Sequence, residues 1–315
     1  MKLIRNINNI KFQTNPCILT IGNFDGIHLG HQKLLNLLCK KKKEYKKPIT
    51  IAIFEPQPQE FFYPENPPIR LMQFREKIQY LSQWNIDTIL CIYFNRVFSR
   101  ISPMNFVTNI IIKKLNVCFL AIGKNFCFGA QRKGNTTFLK NMGKHYNFEV
   151  YTTKILTTHG MEISSTAIRS ALKNNNLKLA KMLLGRSFSI SGRVINGKKN
   201  GSLIGFPTAN IILNKNVAPI NGVFIVKIFI PSSKKTFLGV ANIGTQPTMS
   251  GTKKKLEVHL INVSMNLYKT YIEVIFIKKI RNEFCFSSVE ELKMQIQHDI
   301  KTANLYFDSH PQNIS

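Results

Sequence analysis

Apolar residues follow two rhythms in the first half of this chain. Short, nearly unbroken apolar runs (CILTIG, ITIAIF, TILCIYF, VCFLAIG) alternate with longer stretches in which Leu, Ile and Phe recur every three or four residues, as in HQKLLNLLCKKKK, FREKIQYLSQW and FVTNIIIKKL. The unbroken runs suit buried strands, and the wider spacing suits helices that cover them. Their alternation predicts a parallel sheet with helices on its faces. FEVYTTKIL continues the pattern, and SSTAIRSALKNNNLKLAKMLLG reads as two helices parted by an Asn-rich turn, with Gly185 as a C-cap.

Beyond Gly185 the texture changes. SFSISGRVI, GVFIVKIFI, FLGVANIG, KLEVHLI and YIEVIFI are strand-like, with Gly, Pro and Asn between them, and they predict a compact antiparallel sheet or barrel. The tail SSVEELKMQIQHDIKTANLYF returns to helical spacing, with Ser288 and Glu291 placed as a capping box. The expected organisation is a domain over residues 1–185 and a second over 186–315, with no internal repeat.

Composition changes little in that picture. The 315 residues suffice for two domains, each with its own core. Lys and Arg number 44 against 16 Asp and Glu, a net charge of +28 that would ordinarily suggest a nucleic acid or an anionic surface. The Lys excess comes with abundant Asn, Ile and Phe, as in LKNNNLKLAKML, the signature of drift toward A+T-rich codons, so no nucleic-acid partner is expected. The run Lys40 to Lys43 reads as a solvated helix end. The six cysteines (Cys17, Cys39, Cys91, Cys118, Cys127, Cys285) are scattered without a C-x-x-C pair and mostly inside apolar runs, the pattern of reduced, buried thiols. MKLIRNINNIKF lacks an apolar signal core and no segment approaches bilayer length, so no membrane association and a soluble cytoplasmic protein are expected. Oligomeric state leaves no mark on the pattern.

Candidate chemistry concentrates in two places. GNFDGIHLGH follows the first buried strand, where a doubly wound sheet binds its ligand. Gly22 and Gly26 permit close backbone approach, Asp25 suits a turn, and a helix beginning near Gly30 offers free amides to an anion. His28 and His31 fall on one side of its first turn, where two imidazoles can donate to charge that grows in a transition state. Farther on, ISSTAIRSAL places Ser164, Ser165 and Thr166 at a helix start with Arg169 near the first turn, an arrangement suited to a pyrophosphate.

The second place is GRVINGKKNGSLIGFPTAN. Gly197, Gly201 and Gly205 let backbone amides crowd a phosphate, while Thr208 and Asn210, two apart on a strand, point the same way with oxygens suited to Mg²⁺. A carboxylate able to act as a general base would complete such a phosphate site. None occurs from Ile163 to Leu256; Glu257 is the first that follows, and alternation in KLEVHLI sets it beside His259 on one strand face. Spacing alone does not separate Glu257 from Glu273 or Glu283.

These motifs resemble, in order and over nearly the whole chain, the bacterial bifunctional riboflavin kinase / FAD synthetase family. GNFDGIHLGH, FEPQP, REKIQYL and ISSTAIR are similar to its nucleotidylyltransferase half, and GFPTAN, GVANIGTQPT, LEVHL and KKIRNEFCF to its kinase half. The resemblance implies a Rossmann-like nucleotidylyltransferase domain followed by an antiparallel flavokinase-type barrel with a C-terminal helix. It implies ATP-dependent phosphorylation of riboflavin to FMN, then attack of the FMN phosphate on the α-phosphorus of ATP to give FAD and pyrophosphate.

Carried onto this chain, the family's roles make Glu257 the kinase base and put Thr208 and Asn210 on Mg²⁺-ATP, with Arg281 near the flavin. Gly22, Asn23, Phe24, Asp25 and Gly26 would wrap nucleotide phosphates. His28 and His31 would stabilise the transferring phosphoryl group and the leaving pyrophosphate, whose outer oxygens Ser164, Thr166 and Arg169 would hold. IGKNFCFG matches the flavin-side loop in part: Asn125 stands where many members have Asp, and Cys127 where Arg is common. Ser202 stands where members carry Arg after the third glycine of the loop, with Lys198 and Lys199 nearby as substitutes for the charge.

Overall fold

The predicted alternation is realised as six parallel strands: β1 (Lys2–Arg5), β2 (Cys17–Ile21), β3 (Ile49–Glu55), β4 (Thr88–Tyr93), β5 (Val117–Gly123) and β6 (Glu149–Thr153), in the spatial order β1-β4-β3-β2-β5-β6. The computed structural model describes residues 1–10, 15–158, 160–196, 200–213, 217–248 and 251–311. By contacts the chain divides into one compact unit of Met1–Pro68 with Phe74–Ser165 and another of Ile69–Gln73 with Thr166–Ser315.

In the first unit every residue of β2 is buried, as are the first five of β3, which is what an apolar run covered on both faces must do. The helices are α1 (Leu29–Tyr45), α2 (Pro58–Phe62), α3 (Phe74–Leu81), α4 (Arg96–Ser99), α5 (Pro103–Asn105) running into a π-helical stretch (Phe106–Lys114), and α6 (Thr136–Tyr146). A short ribbon, β7 (Thr157–Thr158) with β8 (Met161–Glu162), ends the unit. Since β3 and β4 lie on one side of β2 while β5 and β6 lie on the other, the winding reverses between β2 and β5. All six strands are parallel, so the loops leaving β2, β3, β4 and β5 gather on one edge, where such sheets bind ligands.

The second unit opens with helices α7 (Ser165–Lys173) and α8 (Leu177–Leu184), the latter ended by Gly185 in the left-handed conformation expected of a C-cap (φ 74°). Its antiparallel strands are β9 (Ser189–Arg193), β10 (Ala209–Leu213), β11 (Gly222–Ile230), β12 (Lys235–Thr248), β13 (Gly251–Leu260) and β14 (Tyr271–Arg281), with α9 (Asn200–Leu203) between β9 and β10. Their order is β10-β13-β12-β11-β14-β9. The two outer strands meet, because Ile195 donates to the Asn210 carbonyl at 2.9 Å, curling the sheet into a barrel. Gly192 makes the closure possible: a Cβ there would run into Ile211.

Helix α10 (Val289–Ser309) packs Ala303 and Phe307 against Val223, Ile225 and Val240. The Ser288 hydroxyl accepts from the Glu291 amide at 3.1 Å, as the capping box requires, but the Glu291 carboxylate reaches back to the Ser287 amide at 2.9 Å, one residue earlier than expected.

Candidate active sites

The first site grows from the turn after β2. Phe24, Gly26 and Ile27 all have positive φ (47°, 80° and 40°), which winds residues 22–28 into a tight loop ending at His28, the N-cap of α1. The His28 side chain makes no capping bond, so it does not compete for the first-turn amides of α1. Gly30 allows this placement: a Cβ there would sit 3.1 Å from the His28 ring. The expected pairing of the histidines is present, with His28 and His31 stacked at 3.8 Å between centroids and 23° between planes, and the Phe24 ring 4.9 Å from His31. Asp25 is 2% exposed, and its carbonyl accepts the hydroxyl of Ser165, the last residue of the first unit, at 2.8 Å. Thr166 and Arg169 belong to the second unit, where Arg169 Nε donates to the Ile69 carbonyl at 2.6 Å.

Two features of this site carry no assigned role in the sequence reading. Lys77 is fully buried and donates to the Asn23 carbonyl at 2.6 Å, setting a cation beneath the loop. On the same sheet edge, Phe94 is ringed by Phe54, Phe61, Phe62 and Phe98, with centroids 5.5–5.7 Å from its own, and Phe62 is 57% exposed. The signal was the EFFYP run after β3. Phe94 is buried and Phe54, Phe61 and Phe98 are half-buried, so this aromatic apron exposes Phe62, a face suited to stacking of a flat ring. Asn125 is exposed in the loop after β5, and Cys127 is half-buried.

Burial, the charge of His28 and the charge of Lys77, in that order, hold the His31 imidazole well below its ordinary value. At neutral pH His31 is therefore an uncharged donor. An unfolded chain takes up this proton near pH 6.5 while the folded chain does not, so in that window the unfolded state binds more protons and stability falls as pH falls. Thermal unfolding followed between about pH 7 and 5 should show a melting temperature that drops on acidification, with a shallower drop in His31→Gln. Equal slopes in the two proteins would contradict this linkage.

The second site is a cavity of about 690 Å³ lined by the outward-facing strand residues of the barrel and by Leu292, Ile296 and Asp299 of α10. Strand register assembles it. Asn210 on β10 pairs with Glu257 on β13, Glu257 with Asn242 on β12, Asn242 with Val223 on β11, and Val223 with Arg281 on β14. All five line the cavity, as do Gly201 and Thr208. The alternation read in KLEVHLI holds, with Leu256, Val258 and Leu260 buried and Glu257 and His259 on the other face. Glu273 is not among the lining residues; it pairs with Ser191 and Phe229.

Asn210 is 4% exposed; its Nδ2 donates to the Thr208 carbonyl at 3.3 Å, and its Oδ1 is buried without a hydrogen-bond partner. A buried, unsatisfied neutral oxygen is costly in a finished fold and suits a hard cation. Gly201 lies so close to the Phe206 carbonyl that a Cβ would collide with it, and Gly205 has φ 90°, so two of the three glycines are needed by this loop. The third, Gly197, lies outside the described residues, as do Lys198 and Lys199.

Glu257 forms an ion pair with Lys255 at 2.7 Å on the same strand face. Arg281 gives its fork to Asp299, with Nε to Oδ1 at 3.0 Å and Nη2 to Oδ2 at 2.8 Å, while its guanidinium lies 4.6 Å from the Phe284 ring centroid. Arg281 thus contributes a braced, planar cationic wall rather than a free fork. Glu283, which spacing leaves open beside Glu257, lines the same cavity, as does Asn242, to which the sequence assigns no role.

Among the described residues no group of three or more His, Cys, Asp or Glu side chains could hold a metal ion, and no helix is long and apolar enough to cross a membrane. All six cysteines are free; Cys17 and Cys91, on central strands, are buried as expected, whereas Cys39, Cys118 and Cys127 are half-buried and Cys285 is exposed.

Two family models match: FAD synthetase over residues 10–167 and riboflavin kinase over residues 184–307. A bifunctional riboflavin kinase/FMN adenylyltransferase of Buchnera aphidicola subsp. Acyrthosiphon pisum is 48% identical, covering 98% of this chain and 99% of its own. The protein of that description from Escherichia coli K12 is 46% identical, covering 98% of each chain. A crystal structure described as a macrolide-efflux protein from Streptococcus pneumoniae matches with a TM-score of 0.81 at 26% identity, over 96% of this chain and 99% of that one.

Proposed function

The chain belongs to the bifunctional riboflavin kinase/FMN adenylyltransferase family, and from that membership we propose how its residues divide the two reactions. The protein phosphorylates riboflavin with ATP to give FMN, and it joins the adenylyl group of ATP to FMN to give FAD. In our reading residues 186–315 perform the phosphorylation and residues 1–185 the adenylyl transfer, in a cytoplasmic protein whose partners are small molecules rather than nucleic acid.

One observation carries the kinase assignment: the row Asn210, Glu257, Asn242, Val223 and Arg281 crosses five strands on one wall of the cavity. Glu257 takes the proton of the attacking hydroxyl. Beside it, Gly201, Gly205 and Thr208 meet the ATP phosphates, and the Arg281–Phe284 end meets the flavin ring. Thr208 and Asn210 hold the Mg²⁺ that travels with ATP, an ion that neutralises phosphate charge when bound.

In the first domain the loop of Gly22, Asn23, Phe24, Asp25 and Gly26 wraps the nucleotide, with Ser164 and Ser165 beside it. His28 and His31 donate to the phosphoryl oxygens, and Asn125 and the Phe94 apron receive the FMN ring.

Purified protein supplied with riboflavin, ATP and Mg²⁺ should form FMN and then FAD, resolved by chromatography. Asn210→Ala should raise the Mg²⁺ concentration needed for half-maximal FMN formation by about tenfold or more. FAD formation from supplied FMN should stay at the wild-type rate. An unchanged Mg²⁺ requirement would remove Asn210 from the metal.

A further inference from the structure

The Asn242 amide has two faces with different fates. Its Nδ2 donates to Glu283 Oε1 at 3.0 Å, whereas its Oδ1 is buried and has no hydrogen-bond partner among the described residues. A carboxylate only accepts, so Glu283 dictates which end of the amide faces it and leaves the oxygen turned away. Gly244, two residues along β12, makes room for this arrangement, since a Cβ there would collide with the Glu283 carboxylate. The result is an oriented, buried acceptor on the wall of the cavity with nothing bonded to it.

Its position says what it accepts from. Asn242 is the direct cross-strand neighbour of Glu257, about 4.8 Å away along the row, and lies on the side of Glu257 remote from Asn210. A flavin whose terminal hydroxyl meets Glu257 and whose ring meets Arg281 and Phe284 must lay its connecting chain over Asn242. In riboflavin that chain is a polyol, and its hydroxyls are the donors nearest to hand.

We propose that Asn242, aimed by Glu283, accepts a hydrogen bond from an internal ribityl hydroxyl and thereby selects polyol-bearing flavins for phosphorylation. Asn242 is the specificity-determining residue and Glu283 its positioning residue. The inference rests on the reading of Glu257 as the base and of the aromatic end as the ring site.

The test compares riboflavin with a flavin carrying a 5-hydroxypentyl chain, which keeps the terminal hydroxyl and lacks the internal ones. The wild-type enzyme should favour riboflavin in kcat/KM. Asn242→Leu, similar in size but unable to accept, should lower kcat/KM for riboflavin about 10–100-fold while changing the analogue little, so that the preference collapses. Glu283→Gln, which no longer dictates the amide orientation, should lose part of the preference. FAD formation from supplied FMN reports that each variant is folded.

Equal losses on both substrates, no loss on riboflavin, a wild-type enzyme indifferent to the internal hydroxyls, or a raised Mg²⁺ requirement in Asn242→Leu would each overturn the proposal. Failure of the underlying reading shows separately, as full FMN formation by Glu257→Gln.

Discussion

Glu257→Gln is expected to lower FMN formation by about 10²–10⁴-fold while leaving conversion of supplied FMN to FAD at the wild-type rate. Glutamine keeps the volume of the side chain and its place on β13 but cannot take a proton. Three carboxylates line the cavity, and their surroundings separate them. Asp299 is 2% exposed with both oxygens bound by Arg281, so it serves as a brace. Glu283 holds the Asn242 amide, and Asn242 stands two strands from Asn210. Glu257 is the one paired directly with Asn210, so a hydroxyl it contacts can also reach a phosphate held there. Its ion pair with Lys255 at 2.7 Å fixes one carboxylate oxygen. Chromatography after feeding riboflavin, and separately FMN, checks both halves of the expectation. Unimpaired FMN formation would move the base elsewhere in the cavity; loss of both activities in a folded variant would contradict separate sites.

That discrimination among carboxylates marks where the sequence becomes opaque. Alternation within KLEVHLI was enough to put Glu257 and His259 on one face, because side-chain direction in a strand is local. Which residues stand beside Glu257 depends on register across β10, β13 and β12, set by turns and hairpin lengths that no single strand reveals. Asn242, inside the apolar-looking FLGVANIG, thus passed without a role. The parallel sheet was legible for the opposite reason: β2 and β3 are buried throughout or nearly so, and burial on both faces leaves an unbroken apolar run.

Edges were harder. β1 is a partly exposed outermost strand with a mixed pattern, KLIR, and pairs only with β4. The segment Ile69–Gln73 sits in the first half of the sequence but belongs to the second compact unit, through an Arg70–Val217 bridge that no local period encodes. Lys77 is silent in the sequence for a different reason, since a fully buried lysine on a short helix has the same letter pattern as a solvated one.

His28→Ala should produce the complementary phenotype: riboflavin is converted to FMN, FMN accumulates, and FAD formation falls by about 10²–10³-fold. The argument rests on where the imidazole stands. Positive φ at Phe24, Gly26 and Ile27 brings the chain round so that His28 caps α1 at the carboxyl end of β2, the edge on which a nucleotide phosphate meets free helix amides. Stacking on His31 at 3.8 Å keeps the ring from swinging away, and His31, itself uncharged at neutral pH, adds a donor without adding repulsion. Charge on the transferring phosphoryl group and the departing pyrophosphate grows in the transition state, so removing a donor that is strongest there should lower kcat for adenylyl transfer more than it raises KM for FMN. A packing defect alone would act differently, disturbing the Phe24–His31 contact and raising KM with kcat little changed. FAD formation at the wild-type rate in the variant would take His28 out of the chemistry, and loss of FMN formation with it would tie the histidine to the barrel site instead.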